Sequence, residues 1–169
     1  MTSPAAAGPR TLHELMAQAC AFEREAVERY TEFADVLETH NNREAAALFR
    51  QLATQEARHA EELMRSMGWQ QPPPAPRQQQ APMGADLQQA HYLMHPWHAL
   101  QVALEAEREA HDFFAGLVAR SDSEEVRRAA LRLQAEEQEH IALLRGWLAK
   151  VPAPPPDWDQ DPDPPRYHD

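Results

Sequence analysis

Cys20 is the only cysteine among the 169 residues of this chain. One thiol closes no disulfide within the chain and supplies neither a four-cysteine iron site nor an iron–sulfur cluster. Any redox chemistry therefore falls to carboxylates and imidazoles. Basic residues are scarce too: 16 Lys and Arg face 27 Asp and Glu, a formal net charge of -11. A chain of that sign repels a phosphate backbone, which removes nucleic acid from the expected partners. Glycine is rare, at 5 residues, and most of the 15 prolines fall into two clusters, the composition of a helical protein with appended irregular segments. No apolar run approaches the roughly 18 residues of a membrane span. The opening MTSPAAAGPR also lacks the basic and then apolar pattern of a leader. The expectation is a soluble cytoplasmic protein with no membrane partner.

What the chain does have is helical periodicity. Thr11-Leu-His-Glu14 has the form of a capping box, and Leu12, Met16, Ala19, Val27, Phe33 and Leu37 follow at helical spacing, predicting a first helix from Thr11 to about His40. Asn41-Asn-Arg-Glu44 repeats the cap logic for a second helix that carries Leu48, Leu52 and Leu63 inward and stops near Gly68. A third long helix is expected from about Trp97 to Arg120, preceded by a short one from Asp86 to Met94 that Pro96 interrupts. Ser121-Asp-Ser-Glu124 reads as another capping box, opening a fourth helix that reaches Leu148.

The irregular parts bound one domain over residues 11–149. Residues 1–10 read as a disordered lead-in. Residues 70–84, QQPPPAPRQQQAPMG, read as an extended Pro/Gln-rich crossover between two helical hairpins. Residues 150–169 form an acidic, Pro-rich tail, expected to be flexible or partner-dependent, in which Trp158 and Tyr167 are the two aromatics able to dock.

The two hairpins look like copies of one another. EREAVERY at 23–30 aligns with EREAHDFF at 107–114, and the stretch from Leu52 to Leu63 aligns with that from Leu133 to Leu144. Glu56 then falls on Glu137 and His59 on His140. Residues three apart share a helix face, so each Glu-x-x-His pair projects as a unit, and each lies on its helix's inward apolar stripe. Glu23 and Glu107 occupy the inward stripes of the first and third helices. Four carboxylates and two imidazoles therefore point into one bundle.

Four ionised carboxylates in an apolar interior repel one another and lose hydration worth several kcal/mol each unless positive charge sits among them. The inward stripes hold no cation: Arg24, Arg29, Arg58 and Arg108 lie off them, and the sole lysine, Lys150, sits near the end of the fourth helix. Two divalent ions would balance four carboxylates. Carboxylates with one imidazole per metal suit iron or manganese, and such donors also take zinc. A lone Glu-x-x-His in a Glu-rich helix more often marks a solvated face, and it is the duplication with matched phase that gives the pattern weight.

In order and spacing, EREAVERY, EARH, EREAHDFF and EQEH resemble the rubrerythrin branch of the ferritin-like superfamily, over about Leu12 to Leu148. That resemblance implies an all-α, ferritin-like four-helix bundle holding two iron ions. It also implies Glu23 and Glu107 as terminal ligands, Glu56 and Glu137 as bridges, and His59 and His140 completing one metal each. Tyr30 matches the family's first-helix tyrosine, which can hydrogen-bond a ligand carboxylate, with a plain core tyrosine as the alternative. Phe114 stands at the equivalent place in the second copy and has no hydroxyl.

The implied activity is an oxidoreductase reacting with hydrogen peroxide or dioxygen, and a homodimer is the expected assembly. Full-length rubrerythrins relay electrons through a four-cysteine rubredoxin module, which a chain with one cysteine cannot build, so an external electron-donor protein is required. The rival readings are an iron-binding or ferroxidase-type protein without sustained turnover, and a metal-stabilised interaction scaffold. Among the remaining candidates, Glu105 and Glu109 leave the face of Glu107 and read as solvated. His111 reads as a core or rim histidine, His91, His95 and His98 as an unconvincing cluster around Pro96, and Cys20 as a small buried hydrophobe.

Overall fold

The structure, a computed structural model, describes residues 8–74 and 93–163. Among them are four α-helices: α1 (Leu12–Thr39), α2 (Arg43–Met67), α3 (Pro96–Arg120) and α4 (Glu124–Leu148). The first seven residues, most of the Pro/Gln-rich crossover, the expected short helix up to residue 92 together with His91, and Tyr167 lie outside the described residues. Leu93 and Met94, the described end of that short helix, are not helical.

Helix ends follow from local chemistry, with shifts from the expected positions. Thr11 caps α1 by accepting from Glu14 N, but Glu14 Oε2 accepts in return from Arg10 N at 2.8 Å, so the reciprocal bond reaches one residue further back than a capping box would. Between α1 and α2 the cap belongs to Asn42, which accepts from Ala45 N, and not to Asn41. Asn41 instead takes a φ of 60°, and the bonds Asn41 N to Glu38 O and Asn42 N to Leu37 O close a Schellman motif. Two consecutive asparagines thus end one helix and start the next. Gly68 ends α2 in the same way, at φ 69°, with Trp69 N donating to Met64 O. At α4 the cap is Ser123, two residues later than expected, while Ser121 Oγ accepts from Ser123 N.

The helices pair as hairpins, α1 with α2 and α3 with α4, and between hairpins α1 meets α4 and α2 meets α3. Two apolar clusters mark opposite ends. One gathers Phe33, Leu37, Phe49, Leu100 and Leu144; the other gathers Leu15, Cys20, Leu63, Phe114 and Val126. Following each helix from one cluster to the other shows that α1 runs parallel to α4 and α2 to α3. Gly68 therefore leaves the bundle at one end while Met94, packed in the first cluster, returns at the other. A helix of 25 residues is about 37 Å long, so the crossover has to return the length of the bundle.

The described part of the tail, residues 150–163, does find a partner, and that partner is the bundle itself. Trp158 packs with Trp147, Leu148 and Val151 against the first cluster, its ring centroid 3.8 Å from that of His98. Burial of a large indole face offsets the ordering of a short, proline-stiffened segment. His98 also accepts from His95 N at 3.0 Å through Nδ1, so these two histidines finish the start of α3, and the metal-type groups found among the described residues include neither.

Asn42 donates its side-chain amide to Met94 O as well as capping α2, tying the hairpin turn to the returning crossover. Asn42→Ala is expected to lower unfolding free energy by about 1 to 2 kcal/mol. Urea denaturation of the metal-free protein measures it, and a change under about 0.3 kcal/mol would show that neither bond contributes.

Candidate metal centre

Midway along every helix, between the two apolar clusters, the hydrophobic stripe is interrupted by carboxylates. Glu56, Glu107 and Glu137 are 6%, 8% and 5% exposed, and with Gln18 they are the buried polar residues among those described. Glu23 is partly buried beside them. His59 and His140 complete the layer, their rings parallel with centroids 4.1 Å apart and planes 6° from one another.

The arrangement has approximate two-fold symmetry, as the sequence duplication requires. His59 Nδ1 lies 3.9 Å from Glu23 Oε2 and 3.7 Å from Glu56 Oε2. His140 Nδ1 lies 3.6 Å from Glu107 Oε2 and 3.5 Å from Glu137 Oε2. These separations exceed a good hydrogen bond. Three of the four fall within the roughly 3 to 3.8 Å that separates two donors each bonded at about 2.0–2.2 Å to a common ion, and the fourth, His59 to Glu23, lies just beyond it. His59 Nδ1, His140 Nδ1 and Glu137 Oε2 are buried without a hydrogen-bond partner. Orphaned donor atoms of this kind are costly unless a ligand claims them. The residues fit metal binding. Glu56, His59 and His140 offer one converging set of atoms within 4.8 Å of one another, and Glu107, Glu137 and His140 offer a second. Glu23 belongs to neither set and joins through His59 and Glu56.

Electrostatics record the crowding. Burial, then the nearby Glu56, Glu137 and Glu107, hold the Glu23 carboxyl well above the usual carboxylate range. Glu107 is pushed up to about 7 by burial and by Glu137, against the opposing pull of His140. Burial alone would lower the pKa of His140, but Glu107 and Glu137 outweigh it and raise the imidazole to about 11. Tyr30 is 2% exposed, stacked on Phe49 at 5.8 Å, and lines a cavity together with all four glutamates. Burial and the negative charge of Glu107, Glu56, Glu23 and Glu137 raise its phenol well above normal, so its hydroxyl stays protonated. Phe114, its counterpart, sits in the second apolar cluster.

The duplicated cassette of carboxylates and imidazoles inside four helices identifies the fold, and a family model for rubrerythrin matches residues 14–148. The chain belongs to the rubrerythrin family. The crystal structure of an uncharacterized conserved protein from Magnetospirillum magnetotacticum MS-1 is 37% identical in sequence, with a TM-score of 0.61 over 86% of this chain and 98% of that one. No curated protein matches. As in that family's pattern, the ferritin-like bundle here is built from two hairpins, and diiron-type metal binding is the property that membership implies.

The weaker candidates lie elsewhere. Glu105 and Glu109 are exposed. His111 faces Asp112 at 3.1 Å and Gln134 at 3.4 Å, on the rim of the bundle. Cys20 is 1% exposed, and burial raises its pKa and keeps it a thiol. Two features were not read from the sequence: the stacking of His59 on His140, and the alanines Ala26, Ala106 and Ala110 that line a cavity at the carboxylates. Ala26 and Ala110 do occupy matching places in the repeated EREA segments, a signal that was present.

A pH dependence follows for the metal-free protein. Glu107 binds its proton more tightly folded than unfolded, at about 7 against 4.5, and so does His140, at about 11 against 6.5. The stability each contributes is complete below its unfolded pKa and is lost as pH rises through the folded one. The two windows together run from about 4.5 to about 11, so chelator-treated protein should melt at a higher temperature at pH 6 than at pH 9. Circular dichroism melts at the two values test it, and the reverse order would contradict the assigned shifts.

Proposed function

We propose that this rubrerythrin-family chain is a diiron-carboxylate oxidoreductase that reacts with hydrogen peroxide or dioxygen and takes its electrons from an external donor protein. The observation that carries the reading is the pair of buried, orphaned imidazole nitrogens, each set 3.5 to 3.9 Å from two carboxylates. In this reading Glu23 and Glu107 would be terminal ligands, Glu56 and Glu137 would hold both ions, and His59 and His140 would each complete one metal. Iron suits this donor set best, with manganese and zinc as alternatives. When bound, the two ions supply electrons and Lewis acidity.

The remaining work belongs to side chains of this chain. A cavity of about 230 Å³ beside the imidazoles, bordered by Leu52, Gln55, Arg58, Leu143 and Leu144, has room for a small oxidant. Tyr30, held protonated among the carboxylates, can donate a hydrogen bond to one of them and keep its orientation fixed. The acidic chain favours a donor protein with a basic patch, so association should slow as salt screens the attraction.

A second reading, iron handling without sustained turnover, is favoured by the single cysteine, which leaves these 169 residues without an iron–sulfur or rubredoxin-type relay. Turnover separates the two. Iron-loaded, pre-reduced protein given excess peroxide and a reduced rubredoxin or similar donor should consume many equivalents per site. One stoichiometric oxidation with every donor, whole-cell extract included, would leave iron handling as the function.

Ligand assignment is tested by metal content. Glu56→Ala or Glu137→Ala is expected to lose two-metal binding while the fold persists, and removing one of four mutually repelling carboxylates should raise the melting temperature of the metal-free form. Glu105→Ala, at an exposed position, should bind two ions as the parent does. Equal metal content in Glu56→Ala and the parent would refute the assignment.

A further inference from the structure

The carboxylate layer is approached from two sides that differ in width and charge. Between α2 and α4 lies the 230 Å³ cavity, which carries the two imidazoles and Arg58. Between α1 and α3 lies a slot of about 40 Å³, whose walls are Phe22, Ala26, Tyr30, Ala106 and Ala110 and whose charged lining is wholly acidic: Glu25 and the four glutamates of the centre. Ala26, Ala106, Ala110 and Glu25 are all partly exposed, so the slot reaches the surface. Glu137, 5% exposed, also lines it, and its Oε2 has no hydrogen-bond partner.

Three physical facts separate these approaches for a divalent cation. Arg58, exposed at the border of the wider cavity, repels it. Among the described residues that line the slot none is basic, and Glu25 lines it together with Glu23 and Glu56, so successive carboxylates can replace lost hydration. The slot is also narrower, at about 40 Å³ against 230 Å³, so an ion passing it exchanges water for carboxylate oxygens. Small side chains keep the slot open. Leucine at Ala26, Ala106 or Ala110 would fill it.

We propose that divalent cations enter through the α1–α3 slot, captured at its mouth by Glu25 and passed between Ala26, Ala106 and Ala110, and not through the cavity bordered by Arg58. The two sides of the centre then serve different traffic, ions on one and the small oxidant on the other. This rests on the diiron reading only for the cation's destination.

The test is stopped-flow uptake of cobalt(II) by the full chain after chelator treatment, reading both rate and final stoichiometry. Glu25→Lys should slow uptake by about tenfold or more at low salt, with the deficit shrinking as salt rises. Ala106→Leu should slow it at every salt concentration. Both should reach the parent's final stoichiometry, because no ligand has changed. Leu143→Trp narrows the other cavity and reports the rival route. Uptake slowed by Leu143→Trp alone, or parent-like rates in both slot variants at full stoichiometry, would overturn the entry route and leave the diiron reading intact. A parent that takes up no cobalt would overturn both. Should Ala106→Leu fail to fold by circular dichroism, Glu25→Lys, at a partly exposed position, decides the matter.

Discussion

Repulsion among four carboxylates in one apolar interior is the force that the rest of this bundle has to contain. Glu23, Glu56, Glu107 and Glu137 sit at the middle of α1, α2, α3 and α4, with an apolar cluster on either side. The clusters supply the burial energy that lets the helices close over such a layer. Without metal ions the layer relaxes by taking up protons: burial first, and then mutual repulsion, push Glu23 and Glu107 upward, while Glu107 and Glu137 hold His140 protonated. Divalent cations would relieve the same repulsion more completely, because they satisfy the orphaned imidazole nitrogens as well.

Duplication supplied this centre, and departures from duplication gave its two sides different character. The paired distances at His59 and His140 differ by only a few tenths of an ångström between copies. Yet Tyr30 brings a hydroxyl to the carboxylates where Phe114 brings none, and Glu25 borders the slot while its counterpart Glu109 is exposed outside it. The internal repeat fixes what is symmetric, here the candidate ligand set. Substitution at equivalent positions then sets what need not be, here second contacts and access.

Parallel running of α2 and α3 explains the long connection between hairpins, since a short turn joins only antiparallel neighbours. The bundle end where the crossover returns is finished by local devices: Asn42 joined to the Met94 carbonyl, His98 accepting from His95 N, and Trp158 of the tail laid on His98. A tail rich in proline and aspartate thereby adds an aromatic cover to the first apolar cluster.

The sequence by itself determined the four helices, their order, and the inward phase of all six candidate ligands, because helical periodicity and the repeated EREA and Glu-x-x-His spacings are local properties that survive without a partner. Cap positions slipped by one residue at Asn42 and by two at Ser123, since several neighbouring residues there can cap and the choice depends on how the turn packs. The ring of His59 on that of His140, the two unequal approaches to the centre and the docking of Trp158 were decided only by tertiary structure. Each arises where side chains far apart in the chain meet, and no spacing within one helix encodes the distance between two.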